Sequence, residues 1–131
     1  MPAVNWLAVI VAAIAMFGLG AVWYSPVLFV KQWAKAAELE IDYEKRGNFV
    51  AILGTSVVLT LIMAANLAFF TAPLDLAGTV AAALAAGLGW ATLSLWIISL
   101  FERRPLSYVF INGGYLTLGF ILMGLILGLW K

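Results

Sequence analysis

Long apolar runs separated by short charged segments form the main pattern of this chain. The charged residues fall at 31–46, at Asp75, at 102–104 and at Lys131. Four apolar runs lie outside these segments. Each is long enough to cross a bilayer core of roughly 30 Å, which takes about 20 helical residues. The predicted spans are residues 4–24, 49–70, 76–101 and 106–130.

The apolar runs carry no polar face, and this decides the class of protein. A helix of a soluble bundle keeps polar residues on the side that meets water. Here 66% of the residues are hydrophobic and 10% are charged, whereas soluble domains have about 25% charged residues. We therefore predict an all-α fold, an integral membrane four-helix bundle that forms a single transmembrane domain over residues 1–131.

The long connection between the first two spans, residues 25–47, alternates apolar and charged positions. This pattern predicts a short amphipathic helix lying in the headgroup region on the cytoplasmic side. Aromatic residues near the end of a span commonly sit at the membrane–water interface. On this basis we expect four interfacial anchors, Trp23, Tyr24, Phe29 and Trp33.

The basic residues are distributed unequally between the two sides of the membrane. The first and third connections carry six of them, and the other side carries only Lys131. Because Lys and Arg accumulate in cytoplasmic loops, this asymmetry predicts that both termini are extracytoplasmic. The six residues are Lys31, Lys35, Lys45, Arg46, Arg103 and Arg104.

Small residues recur at helical spacing in the third and fourth spans. Helices in lipid associate through close packing, which small side chains permit. The stripes either pack helices within one subunit or, most plausibly for the fourth span, form a subunit interface. Four short helices make a small bundle, so we expect a homo-oligomer or a larger membrane complex. The residues are Ala77, Ala81, Ala85 and Gly89 in the third span and Gly113, Gly124 and Gly128 in the fourth.

A layer of uncharged polar residues is predicted near the cytoplasmic side. At a rise of 1.5 Å per residue, Ser56, Ser94, Asn112 and Tyr115 all fall roughly 7–13 Å from the cytoplasmic ends of their helices. Asn112 is the most informative of them, because lipid offers its amide no hydrogen-bond partner. One interpretation is an interhelical hydrogen bond in which Ser56 or Ser94 is the partner of Asn112. The other is a ligand or ion site.

The composition excludes several kinds of chemistry. The chain has no Cys and no His, and its net charge is only +1. Thiol nucleophiles, Cys/His metal sites and imidazole catalysis are therefore excluded, and nothing favours nucleic acid as a partner. No ionisable residue lies inside a predicted span. We therefore predict no catalytic residue, no metal site and no cofactor, and expect that the protein is not an enzyme.

Five motifs are distributed along the chain: NWLAV at 5–9, GAVWYSPVLF at 20–29, LFERRPL at 100–106, NGGY at 112–115 and GLILGLW at 124–130. Together they resemble the bacterial domain-of-unknown-function family DUF1761, across essentially the whole chain. The resemblance implies a small bacterial membrane protein and therefore the cytoplasmic membrane, but it implies no activity. Members often carry His at the position of Leu116, so a role for that His does not transfer to this chain.

Two classes of function remain open at this point. The uncharged spans and the small-residue stripes favour an oligomeric interaction or scaffold module, or an accessory subunit, surrounded by membrane lipids. The alternative is a transporter or channel for a neutral or lipophilic small molecule that uses the polar layer near the cytoplasmic side. A water-accessible cavity reaching that layer would favour the alternative.

Overall fold

The protein is described by a computed structural model that covers residues 4–38 and 49–131. Within these residues the chain forms α-helices and one π-helix, with no strand. The third span consists of α4, the π-helix and α5. The elements are α1 Trp6–Trp23, α2 Val30–Ala36, α3 Phe49–Thr71, α4 Leu76–Leu84, the π-helix Ala85–Thr92, α5 Leu93–Phe101 and α6 Leu106–Leu129.

Four helical segments are long and apolar enough to cross a membrane. Their ends lie within two residues of the ends predicted from the sequence. The predicted all-α, four-span architecture is therefore confirmed, with the membrane setting following from length and composition. Of the predicted amphipathic connection, α2 is described, whereas positions 39–47 lie outside the described residues.

The fourth span, α6, is the central helix of the bundle. It packs mainly against α1 and against the third span, through α4, the π-helix and α5. The second span, α3, lies mainly against α1, and α2 packs against α6. The main contacts therefore connect the spans in the order second, first, fourth, third.

The core is built largely from small and flexible side chains. Ala8, Ala12, Ala64 and Ala83 are fully buried, and Met16 and Met123 fill the spaces between them. Alanine lets neighbouring backbones approach closely, and methionine adapts to irregular gaps. Between helices in lipid, this close packing replaces the hydrophobic driving force that operates in water.

The two halves of α3 differ in their surroundings. From Val50 to Leu59 every residue except the half-buried Ser56 is exposed. The second half buries one stripe against the bundle, beginning at Thr60. This stripe consists of Thr60, Ala64, Leu67, Ala68 and Thr71.

Local capping explains where the helices begin and end. The side chain of Asn5 accepts a hydrogen bond from the backbone of Ala8, and Asp75 does the same for Gly78, so each caps the first turn of a helix. At the end of α5, Arg103 adopts a left-handed conformation with φ 58°. The amide of Arg104 then bonds to the carbonyl of Ser99 at 2.9 Å, which closes the helix.

Candidate functional site

The side chain of Asn112 meets a partner at the end of α1. The hydroxyl of Tyr24, which follows the last residue of α1, donates to Asn112 Oδ1 at 2.5 Å. Asn112 itself is half-buried on α6. The predicted interhelical hydrogen bond of Asn112 is therefore present, but a tyrosine from the first span supplies it, and neither Ser56 nor Ser94 does.

A second hydrogen bond joins the same two helices one residue away. Trp23 Nε1 donates to the backbone carbonyl of Ile111 at 2.8 Å. The Trp23 ring also lies close over Gly114, where a Cβ atom would come within 2.9 Å of the ring. Gly114 is thus required for the approach of the indole. Together the two bonds tie the end of α1 to the first turns of α6.

Aromatic rings close around this junction from three elements. The Tyr24 ring makes edge contacts with Trp33 of α2 and with Tyr115 of α6, each at 5.5 Å between ring centroids. The Trp23 ring lies 4.8 Å from that of Phe29. Of the predicted polar layer, Asn112 and Tyr115 are therefore part of this junction. We call this set of residues, Trp23, Tyr24, Phe29, Trp33, Asn112 and Tyr115, the aromatic junction.

The aromatic junction adds contacts within the protein to the four residues predicted as interfacial anchors. All four are half-buried and contact one another or α6, and their position at the membrane interface stays a prediction. The indole N–H of Trp23 and the hydroxyl of Tyr24 bond to α6 and so are not directed to headgroups. A buried N–H or O–H needs a defined partner, and within the bundle α6 provides it.

The Tyr24 hydroxyl is the donor of the bond to Asn112, because an amide oxygen can only accept. A neutral hydrogen bond of this kind can hold helices together but supplies no charge for catalysis or proton transfer.

The short helix α2 is fastened to the bundle by Arg104. Its guanidinium donates from Nη1 to the backbone carbonyl of Ala37 at 2.9 Å, and it lies 5.6 Å from the centre of the Tyr108 ring. The residues of α2 that face the bundle, Ala34 and Ala36, are buried, whereas Lys31 and Lys35 are exposed. The helix is thus amphipathic as predicted, but its apolar side contacts protein.

A second polar contact links the third and fourth spans. The Thr92 hydroxyl lies 2.7 Å from the Gly87 carbonyl, 3.1 Å from the Gly113 carbonyl and 3.1 Å from the Thr117 hydroxyl. Gly87 lies five residues before Thr92, a spacing that the π-helix brings onto one face. Sequence reasoning did not single out Thr92, and the only signal available to it was a threonine five residues after a glycine in the same span.

The predicted polar layer was wrong in two of its four members. Ser56 bonds to the Ile52 carbonyl of its own helix at 2.7 Å, and Ser94 is exposed. These residues were grouped by their estimated depth along the helices, and depth alone does not fix the direction of a side chain. Ser94 lies two residues after the inward-facing Thr92, and residues two apart on a helix do not share a face.

The small-residue stripe of the third span also faces the other way. Ala77, Ala81, Ala85 and Gly89 are all exposed, so they do not pack against the other helices of the described chain. The inward face carries Thr79, Ala83 and Gly87, followed by Thr92 after the π-helix. The interpretation of this stripe as packing within the subunit is therefore wrong. A role as a subunit interface stays a prediction.

The glycines of the fourth span pack inside the chain. A Cβ atom on Gly124 would lie 2.5 Å from Ala83 Cβ, and one on Gly113 would lie 2.6 Å from Thr92 Cγ2. A Cβ atom on Gly128 would lie 2.8 Å from Leu76 Cδ1. The stripe considered most plausible as a subunit interface thus holds the third and fourth spans together.

A small cavity lies at the opposite end of the bundle from the aromatic junction. It measures about 90 Å³, which gives room for a few water molecules. Beside it, Asn5 Nδ2 donates to the Trp130 carbonyl at 3.0 Å. Across residues 4–38 and 49–131, no cluster of His, Cys, Asp and Glu could hold a metal ion. The cavity is lined by Val4, Asn5, Ala68, Thr71, Ala72, Leu127, Trp130 and Lys131.

Comparison with known proteins gives the family. Residues 7–128 match the family described as "Protein of unknown function (DUF1761)". Comparisons with curated proteins and with solved structures give no match. The matched region contains nearly all of the four spans and the whole aromatic junction, and it confirms the resemblance seen in the motifs. The chain belongs to the DUF1761 family.

Proposed function

We propose that the protein is a non-catalytic packing module of the bacterial cytoplasmic membrane, in which copies of the chain associate through the outward face of the third span. The outward position of Ala77, Ala81, Ala85 and Gly89 is the observation that carries this proposal. A Cβ atom on Gly89 would meet nothing within 4 Å. Small residues give no advantage against lipid, but they allow two helices to pack closely.

The use of polar groups inside the bundle supports the same function. The side-chain oxygen of Asn112 and the hydroxyl of Thr92 both have partners on neighbouring elements. Such interhelical bonds are worth about 0.6 kcal/mol on average, which suits a structural role. The polar groups most suggestive of chemistry are thus engaged in holding helices together.

The alternative, transport of a neutral or lipophilic molecule through the polar layer, has less support. It needs a water-accessible cavity that reaches Asn112. In the part of the chain that the structure describes, Asn112 Oδ1 accepts a hydrogen bond from Tyr24, and the Tyr24 ring is itself flanked by the rings of Trp33 and Tyr115. The cavity of about 90 Å³ lies at the other end of the bundle. These observations favour the packing module.

The proposed orientation places both termini outside the cytoplasm. It is supported by the six basic residues in the first and third connections, against Lys131 alone on the other side. The aromatic junction then lies toward the cytoplasm. Reporter fusions after Lys131 should be active only on the periplasmic side, and cytoplasmic activity there would reject this orientation.

Cysteine cross-linking tests the proposed association directly. Because the chain has no cysteine, a single substitution reports on one position. We expect Ala81→Cys and Ala85→Cys to form disulfide-linked dimers in membranes. The matched control is Ile14→Cys, at a position that is 65% exposed on α1 and outside the proposed interface.

A substitution that blocks close approach provides the second arm of this test. The double variant Ala81→Leu with Ala85→Leu should lose the oligomer and keep its helical content, since both positions are exposed within one chain. Equal cross-linking at Ile14, or an unchanged oligomer in the double variant, would show that the third span is not the interface.

A further inference from the structure

The side chain of Lys131 makes an unusual set of contacts at the end of the bundle. Its ammonium donates to the backbone carbonyls of Thr71, Ala72 and Leu74, the last at 2.6 Å and the middle one at 3.3 Å. An ammonium group has three N–H donors and no acceptor. The last residue of α3 and the short segment after it therefore provide an acceptor for each N–H of the lysine.

The turn that carries the three carbonyls is stabilised by contacts that do not involve Lys131. The amide of Leu74 bonds to the Thr71 carbonyl at 2.9 Å, which closes the turn. Pro73 restricts the backbone within the turn, and Asp75 begins α4 by accepting from Gly78 at 2.8 Å. The acceptors should therefore keep their arrangement when the lysine is removed.

The electrostatics of this turn favour a cation. The last carbonyls of an α-helix have no partner within the helix, and the helix dipole makes that end negative. Thr71, whose carbonyl is one of the three, is 1% exposed. The cavity of about 90 Å³ lies beside Lys131 and Thr71 and gives space for a group that enters next to the carbonyls.

We propose that the carbonyls of Thr71, Ala72 and Leu74 form a binding site for a primary ammonium group, which Lys131 occupies and which a separate amine can occupy in its absence. The lysine then acts as an internal ligand that closes the site and joins the end of the fourth span to the end of the second. The selectivity follows from the donors. A primary ammonium offers three N–H groups to three carbonyls, whereas a quaternary ammonium offers none.

The primary ammonium group can come from either of two sources. The site lies at the ends of the spans and therefore at the depth of lipid headgroups, where an aminophospholipid carries a primary ammonium. A free small amine from the aqueous phase carries the same group. The two are distinguished by presenting the ammonium either in a bilayer or in solution.

The first experiment is chemical rescue of Lys131→Ala in detergent. We expect the variant to have a melting midpoint lower than that of the unmodified protein by roughly 5 °C. Ethylammonium should restore most of this loss, and tetramethylammonium should not. The unmodified protein should not respond, because its own lysine fills the site. Lys35→Ala, which removes an exposed lysine at the other end of the bundle, is the matched control and should show no response to ethylammonium.

The second experiment compares nanodiscs of phosphatidylethanolamine with nanodiscs of phosphatidylcholine, with the anionic lipid content held equal. If the melting midpoint of Lys131→Ala is higher in phosphatidylethanolamine than in phosphatidylcholine, and that of the unmodified protein is the same in both, the ligand is a lipid headgroup. Rescue by ethylammonium without a lipid difference assigns the site to a free amine. Lys131→Met, which keeps an apolar stem against the cavity, repeats both measurements if the alanine variant does not fold.

Three results would overturn the proposal. One is a melting midpoint that is unchanged in both Lys131→Ala and Lys131→Met. Another is a lowered midpoint that ethylammonium fails to restore and that does not depend on the lipid. The third is an equal response to ethylammonium in the unmodified protein, which would indicate a general effect of the amine on the membrane or detergent.

Discussion

The fourth and second spans have similar composition but very different surroundings. α6 is packed against both the first and the third spans, and its glycines meet side chains at closest approach. The first half of α3 is exposed almost throughout, and a Cβ atom on Gly54 there would meet nothing within 4 Å. Both helices are equally suited to lipid, so hydrophobicity does not decide which becomes central. The different surroundings of α6 and α3 indicate that close contacts at small residues decide which helix becomes central.

The strongest test of this difference is to add the same side chain to a glycine of each helix. Gly124→Leu should lower the free energy of unfolding by about 3 kcal/mol or more, because its Cβ alone would lie 2.5 Å from Ala83. Gly54→Leu should leave stability unchanged or raise it by up to about 1 kcal/mol through helix propensity. Unfolding by dodecyl sulfate, followed by circular dichroism, measures both. Equal losses would contradict the assignment of α6 as the packed centre.

A smaller effect is expected at the aromatic junction, where α6 receives the end of α1. Asn112→Leu and Tyr24→Phe each remove one side of the 2.5 Å hydrogen bond, and phenylalanine retains the ring that contacts Trp33. In a double-mutant cycle the two should couple by about 0.5–1.7 kcal/mol. Additive losses, with no coupling, would show that the bond does not stabilise the junction.

The smallest changes in stability are expected at two buried threonines that face α6 from the third span. Thr92 bonds across to α6, whereas the hydroxyl of Thr79 is buried without a partner among the described residues. Thr92→Val should therefore lose about 1 kcal/mol, and Thr79→Val should gain up to about 1 kcal/mol, because valine removes the unsatisfied hydroxyl. The same unfolding measurement applies. Changes of the same sign would contradict the difference in hydrogen bonding.

The lengths of the spans could be predicted from the sequence because the cost of placing charge in lipid is local. The charged segments limit how far each span can extend, without reference to the rest of the fold. The four spans therefore agree with the prediction to within two residues. Asn112 was also identified as needing a partner, since an amide in hydrocarbon is costly wherever the neighbouring helices lie.

The partner of Asn112 could not be predicted in the same way. Ser56 and Ser94 were chosen by depth, but Tyr24 fills the role. Tyr24 had been assigned to the interface because aromatic residues near the end of a span commonly face headgroups. In the fold, the position of α2 and the first turns of α6 enclose it. Only the arrangement of α1, α2 and α6 shows that the Tyr24 hydroxyl meets protein and not lipid headgroups.

The π-helix shows a further limit of sequence periodicity. Stripes at four-residue steps were identified on the third span, but the inward positions Thr79, Ala83 and Gly87 are followed by Thr92 after five residues. The wider turn rotates the face that meets α6. A stripe of small residues is equally compatible with the inner and the outer side, so spacing alone could not show that Ala77, Ala81, Ala85 and Gly89 face outward.

The sequence by itself determined the number of spans, their ends and the sites where lipid could not satisfy a polar group, because these depend on the transfer of single residues into hydrocarbon. The tertiary structure alone decided which face of each span turns inward. A helix that is apolar around its whole circumference has no preferred face toward lipid. Its rotation is therefore set by the neighbouring helices that pack against its glycines and form hydrogen bonds with its hydroxyl groups. The close contact of Gly124 with Ala83 and the hydrogen bond between Tyr24 and Asn112 are the results of that selection.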